Sequence, residues 1–461
     1  MPKAPNTKDL PKPVSLWQSL GPSFIMLGLA LGSGELILWP YLAANWGVGL
    51  LWGALLGISF QYVLNTEVMR YSLAWGESVF VGFRKLSIII PIWYIISTFI
   101  PWSLPGFSSA ASEIITILVP WIPEKGLAIG LLLFTGLLLS AGRTVYKTME
   151  TFQKTVIILG LPFLVIVTAL MTNQMDWIDA AWGMVGRGDG WWFFPQGVAL
   201  ASFLGAFAYS GAGGNLNLAQ SYYIKEKGFG MGVYAQKLAS LFSGKAEATE
   251  LEGTRFKHTN KNFLRWQGWW KLVTTEHFLV FWLLGFITIV VLSVLATATV
   301  FGTGVEEGLS FLYTEAASIS AVTHPILGTF FLLVAALMLF STQVGVLESS
   351  SRIISENVLL LWFRKKKKLN LNKAFYVALW GQIGLGMVIY TIGFQEPRVL
   401  LTLGAVLNAA AMMMSFIFIG ILNRKSLPKT YQTPLWRRIV MLLAVCFFAY
   451  FLVITAQSFT G

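Results

Sequence analysis

The chain has 461 residues, of which 56% are hydrophobic and 12% charged, with a mean hydropathy of +0.67. These values exclude an ordinary soluble domain and a disordered chain, and they place the protein among polytopic membrane proteins. The net charge of +12 would suit a nucleic-acid partner in a soluble protein. Here the basic residues cluster between apolar stretches, so they report membrane orientation and no nucleic acid is expected.

Apolar stretches of about 20 residues predict eleven spans. In chain order they lie near Trp17–Trp46, Val48–Tyr71, Ile88–Val119, Leu127–Ala141, Phe152–Met171, Val198–Tyr223, His277–Val300, Pro325–Ile353, Ala374–Phe394, Val399–Leu422 and Trp436–Ser458. The segment Met1–Pro13 is polar and Pro-rich, and no cleavable signal peptide is expected. With the N-terminus cytoplasmic, one set of connections collects Lys3, Lys8, Lys12, Arg84, Lys85, Arg143, Lys147, Arg424, Lys425, Arg437 and Arg438. The opposite set holds Glu124, Lys125, Asp176, Asp179, Arg187, Asp189, Glu306, Glu307, Glu396 and Arg398. This asymmetry predicts a protein of the plasma membrane, or of the inner membrane in a bacterium, with its C-terminus outside. The run Arg364–Lys368 reads as a topology anchor at the lipid head groups.

Within the first span the run Gly32-Ser33-Gly34-Glu35 stands out. Glycines disfavour helix, and a carboxylate at membrane depth is costly unless a cavity or partner receives it. Irregular backbone at that depth survives only where protein or water satisfies it, so a discontinuous helix around a solute site is expected. Span six repeats the theme in Ala212-Gly213-Gly214-Asn215-Leu216-Asn217-Leu218, which echoes Gly32–Leu38. Spans one and six each open a group of five, and five is odd, so the groups run in opposite senses through the membrane. That is the inverted-repeat arrangement of many secondary transporters, with broken helices meeting near the midplane.

The fold expectation is therefore an all-α integral membrane protein forming one transmembrane domain. Repeat one covers about 17–171, repeat two about 198–422, and an extra helix about 436–458. The polar stretch Lys225–Lys271 reads as an ordered cytoplasmic loop, with Val233–Phe242 as a short amphipathic helix and Trp266–Trp270 at the membrane interface.

Little else in the chain points to chemistry. Cys446 is the single cysteine, and His258, His277 and His324 are widely spaced in loops or at span ends. No zinc motif, nucleotide-binding loop or nucleophile–base constellation is present, so neither a cofactor nor an enzymatic activity is expected.

Gly21-Pro22-Ser23-Phe24, eleven residues before the first break, resembles the opening of the Nramp divalent-metal transporters, where Gly-Pro-Gly-Phe precedes Asp-Pro-Gly-Asn. Ala74-Trp75-Gly76-Glu77-Ser78, Gly214–Leu218, Thr342-Gln343-Val344-Gly345 and Glu348-Ser349-Ser350 fall in order on further family segments. The resemblance covers nearly the whole chain. It implies the LeuT-like fold, alternating access and proton-linked uptake. The chain departs from the family at the chemistry. The metal-binding aspartate lies over Gly32 and the asparagine over Glu35, while the span-six methionine and histidine are replaced by Ala212 or Gly213 and by Gly214. The span-ten glutamine has only Asn408 near its place.

The resulting candidate substrate site is Gly32, Ser33, Gly34, Glu35, Ala212, Gly213, Gly214, Asn215 and Asn408, with Glu35 and Asn215 as candidate metal ligands. Without thioether or imidazole ligands, high-affinity selection of Mn²⁺ or Fe²⁺ is not expected. A hard oxygen site suits a largely hydrated cation such as Mg²⁺. Two alternatives stay open: a small amino-acid-like organic solute, or a non-transporting sensor or scaffold. Glu35, Glu67, Glu113 and Glu348 are the candidate proton-pathway acids. Glu67 with Arg70 and Glu348 with Arg352 are also spaced to pair on one helix face. The expected partners are the lipid bilayer and a small solute or cation.

Overall fold

The apolar stretches form helices because a chain in lipid must satisfy its backbone within the segment. The computed structural model describes residues 7–241, 250–303, 309–362, 370–393 and 397–458. The Arg364–Lys368 run, Glu306, Glu307, Glu396 and the side chain of Ser33 lie outside the described residues. Among the described residues nine helices are long and apolar enough to cross a membrane. The two other expected spans are the fourth, Glu124–Ser140, which has 17 residues, and the sixth, which is interrupted. The sixth runs Leu200–Ala208, Gly214–Ala219 and Gln220–Lys227.

The remaining spans are one (Pro22–Trp46), two (Val48–Trp75), three (Ile89–Leu118), five (Val145–Met171), seven (Asn260–Val300), eight (Pro325–Trp362), nine (Leu371–Ile392), ten (Pro397–Ser426) and eleven (Leu435–Ser458). Spans one, two, six, seven and eight form the centre of the bundle. Span one is buried over 94% of its most apolar window, while that of span five is buried over only 33%. Ile158, Leu159 and Ile166 of span five face outward, as a lipid-contacting surface requires.

Three expectations about the segment after span six are corrected. Asn260–His277 is helical and continuous with span seven, so only the earlier part of Lys225–Lys271 is a connection. Trp266 and Trp269 are buried in the protein, Trp266 against the Phe256 and Tyr431 rings and Trp269 under the N-terminal segment. Thr7–Lys8 pairs in parallel with Arg255–Phe256, Leu10 is buried, and the Trp269 indole donates to the Pro11 carbonyl at 2.9 Å. The described part of Val233–Phe242 forms no α-helix; its first two residues end a short 3₁₀ turn, Gly230–Tyr234.

Candidate functional site

The backbone leaves α geometry at both expected places, in two different ways. Span one is not uncoiled: Leu31–Leu38 is a π-helical run between Pro22–Ala30 and Trp39–Trp46. In an α-helix the Gly32 amide would donate to the Gly28 carbonyl. Here it donates to the Thr342 hydroxyl at 2.9 Å, and that hydroxyl donates to the Gly28 carbonyl at 2.9 Å. A side chain from span eight is thus inserted into the ladder of span one, a recognised cause of helix distortion. Inserted π turns of this kind recur at functional sites.

Span six is interrupted outright. Leu200–Ala208 ends, 209–213 is irregular, and Gly213 and Gly214 have φ of 75° and 48°. Both values lie in the left-handed region, where glycine meets no Cβ penalty. Gln61 of span two holds the gap from both sides. Its amide nitrogen donates to the Ala208 carbonyl at 3.1 Å, and its oxygen accepts from the Gly213 amide at 3.1 Å and from the Asn217 amide at 3.1 Å. The two distorted segments meet at Gly34. A Cβ there would fall 1.8 Å from the Tyr209 carbonyl oxygen, so only glycine admits this approach.

Glu35, the carboxylate of the first run, is fully buried. Neither of its oxygens has a hydrogen-bond partner among the described residues. Its surroundings are apolar and tight: a Cβ built on Gly285 of span seven would lie 3.2 Å from Glu35 Oε1, 2.9 Å from Ile58 and 3.3 Å from Leu27. Glu35 therefore points toward spans two and seven. Asn215 points elsewhere. Its amide donates to the hydroxyls of Ser97 and Thr98 at 2.9 Å each, and its oxygen accepts from Ser415 at 3.4 Å. The structure does not bring Glu35 and Asn215 together, because Asn215 is engaged in joining span six to spans three and ten. Among the described residues no three His, Cys, Asp or Glu side chains form a group able to hold a metal ion.

The other predicted residues divide clearly. Ala212, Gly213 and Gly214 lie at the span-six break, and Gly32 and Gly34 lie in the π-helical run. Asn408 stands against Gly214 and donates to the Tyr209 hydroxyl at 3.1 Å. Glu67 forms ion pairs with Arg70 at 2.8 Å and Arg437 at 3.1 Å. Glu348 pairs with Arg352, which also pairs with Glu226. Glu113 accepts from the Tyr313 hydroxyl at 2.9 Å. Glu67 and Glu348 thus form the helical pairs that their spacing allowed, while Glu35 alone among the four lacks any protein partner among the described residues.

Several residues at the end of the bundle where span one begins escaped the sequence. His277 is not at a span end: it is fully buried within a continuous helix, 2.7 Å from the Ser23 hydroxyl and stacked on Phe281 at 4.5 Å. Its neighbour Glu276 accepts from the Gly21 and Ser23 amides at 3.3 and 3.2 Å and from the Ser23 hydroxyl. It caps the exposed donors at the start of span one. Glu150 gathers Lys147, Lys154 and Lys227 nearby. At the opposite end, a cavity of about 480 Å³ is lined by Trp46, Asp179, Trp182, Arg187, Asp189 and Thr297.

Comparison with protein-family models gives no match, and neither does comparison with curated protein sequences. Solved structures do match. Crystal structures of a manganese transporter from Eremococcus coleocola, one a mutant and one in complex with an aromatic bis-isothiourea substituted compound, superpose with TM-scores of 0.71 and 0.70. Each is 14% identical, over 99% of this chain and 90% of theirs. Mhp1, a nucleobase-cation-symport-1 family transporter in a closed conformation with bromovinylhydantoin bound, gives a TM-score of 0.56 at 12% identity, over 99% of this chain and 96% of its own. MhsT in complex with L-phenylalanine gives 0.51 at 13% identity, over 95% and 98%. At such identities the likeness is one of architecture. The chain is an all-α integral membrane protein with the LeuT-like fold, in which span one carries a π-helical run and span six is interrupted.

Proposed function

We propose that this protein is a secondary transporter working by alternating access, and that Glu35 carries the cation it moves. The observation behind this reading is the buried Glu35 carboxylate, unpartnered among the described residues at the distorted turn of span one. An ionised carboxylate buried without a counter-charge costs several kcal/mol. A bound cation removes that cost. The bundle then closes readily over a loaded Glu35 and reluctantly over an empty ionised one, which couples occupancy to the conformational change. A carboxylate with no thioether or imidazole at the breaks suits a hard, largely hydrated divalent ion of the Mg²⁺ class, coupled to a proton, better than Mn²⁺ or Fe²⁺. The manganese transporter of similar fold supports the cation reading, and the lack of thioether and imidazole at the breaks argues against the same selectivity.

In this reading the repeats are 17–171 and 198–422, the helix 436–458 is an addition, and the N-terminus is cytoplasmic in the plasma membrane. The ion-paired end formed by Glu226, Arg352, Glu348 and Glu67 is the closed gate. The cavity at the far end is the vestibule.

The test is Mg²⁺ uptake into proteoliposomes by wild type and Glu35→Gln. The amide keeps the shape and loses the charge, so uptake should vanish while thermal stability is kept or raised. Wild-type uptake rates from a folded Glu35→Gln protein would remove Glu35 from the mechanism.

A further inference from the structure

Three side chains where span one begins share one chain of hydrogen bonds. Glu276 of span seven accepts from the Gly21 and Ser23 amides and from the Ser23 hydroxyl. The same hydroxyl lies 2.7 Å from His277 Nδ1. Ser23, Glu276 and His277 are all fully buried. A serine hydroxyl has a single hydrogen. Given to an ionised Glu276, it leaves the serine oxygen as the acceptor, so His277 Nδ1 is the donor. A neutral imidazole then carries its lone pair on Nε2. His277 Nε2 has no hydrogen-bond partner among the described residues. Buried polar atoms are nearly always matched, so a free lone pair at the end of such a chain is a place for a proton.

A second observation ties this chain to Glu35. His277, Phe281 and Gly285 follow at steps of four on one face of span seven. A Cβ on Gly285 would lie 3.2 Å from Glu35 Oε1, so His277 lies about 12 Å along the helix from the level of Glu35. Between the two levels span seven is π-helical, Phe278–Leu283, a distortion that recurs at functional sites. The Phe281 ring occupies the interval. It stacks on His277 at 4.5 Å and reaches the span-six break, 2.7 Å from where a Cβ on Gly211 would stand. Movement at the break therefore displaces the ring that separates His277 from Glu35.

We propose that Ser23, Glu276 and His277 hold the proton that accompanies the cation, at a site apart from Glu35 and closed off from it by Phe281. This rests on the transporter reading and names the place of its coupled proton. None of the three residues is among the acids that the sequence marks for a proton pathway. The transfer balances. A proton enters at His277 Nε2, the Nδ1 proton passes to the Ser23 oxygen, and the Ser23 proton passes to Glu276. The imidazole ends neutral with its hydrogen on Nε2, the serine is restored, and the carboxyl holds the gained proton. Other ionisable groups frame the site. Tyr62 of span two stacks on the imidazole at 5.6 Å, with Arg437 beside it. Tyr146 and Glu150 of span five stand against Gly21, and Lys227 of span six pairs with Glu150. The counter-charge for a protonated His277 is Glu276, reached through Ser23.

The test is Mg²⁺ uptake into proteoliposomes at equal pH and with an acidic exterior, by wild type, Ser23→Ala, Ser23→Thr and His277→Gln, with thermal unfolding as a check on folding. An acidic exterior should accelerate wild-type uptake. Ser23→Ala and His277→Gln should lose roughly tenfold or more of that acceleration, and Ser23→Thr, which restores the hydroxyl, should recover it. Wild-type uptake indifferent to the pH gradient, or acceleration unchanged in both folded variants, would overturn the proton site and leave the cation at Glu35. A wild type that moves no Mg²⁺ removes the cation reading instead. The proton site is then decided by ¹⁵N-histidine NMR of the purified full-length protein, which has only three histidines. His277 should carry its hydrogen on Nδ1 near neutral pH and lose that preference in Ser23→Ala; a wild-type His277 with its hydrogen on Nε2 would overturn the site.

Discussion

Replacing Thr342 by valine removes one hydroxyl and keeps the shape of the side chain. That hydroxyl occupies a gap in the backbone of span one, accepting from Gly32 and donating to Gly28 at 2.9 Å each. Without it one buried amide and one buried carbonyl lose their partners, at about 1–3 kcal/mol apiece. Span one has one escape: it can rewind so that Gly32 bonds Gly28 directly. Rewinding shifts the register and rotates the following residues by about 100°, which brings a side chain to where only Gly34 fits against Tyr209. The expected loss for Thr342→Val is therefore about 2–6 kcal/mol. Thr342→Ser keeps the hydroxyl and loses a methyl, at a cost of about 1 kcal/mol. Thermal unfolding in detergent should rank wild type, serine, valine, and hydrogen exchange at Gly32 should quicken only in the valine protein. A purely packing role for Thr342 gives the opposite order. Valine more stable than serine would refute the inserted-hydroxyl account.

Other perturbations follow from the same geometry. Gly34→Ala places a methyl 1.8 Å from the Tyr209 carbonyl, so spans one and six must separate; the variant should elute as aggregate or lose uptake, and normal uptake would show that the contact is dispensable. Arg352→Leu leaves Glu226 and Glu348 buried without their shared cation and should cost about 3–5 kcal/mol, read as a steep fall in the yield of monodisperse protein. In a Cys446→Ala background, cysteines placed at Asp179 and at Lys257 should label from opposite sides of the membrane, the Asp179 site from outside; labelling of the Lys257 site in intact cells would invert the topology.

The sequence by itself determined the elements and their order. Apolar length marked the spans, and the glycine clusters at Gly32–Gly34 and Gly213–Gly214 located both distorted helices, because backbone chemistry in lipid is local. It also signalled Glu35, since a carboxylate inside an apolar run is conspicuous without any structure. Spacing on one helix gave the Glu67–Arg70 and Glu348–Arg352 pairs for the same reason. Tertiary structure decided what lies across the bundle. Gln61 and Thr342 hold breaks in chains 147 and 310 residues away, and nothing local to either residue shows that role. Asn215 looked like a ligand beside Glu35, but its amide nitrogen donates to Ser97 and Thr98 and its oxygen accepts from Ser415. His277 and Trp269 looked peripheral because hydropathy falls where their helix leaves the most apolar window; the N-terminal segment and span one then bury them. Which side chains face one another depends on how the helices rotate in packing. That rotation is set by long-range contacts such as Gly34 against Tyr209, which no single stretch of sequence contains.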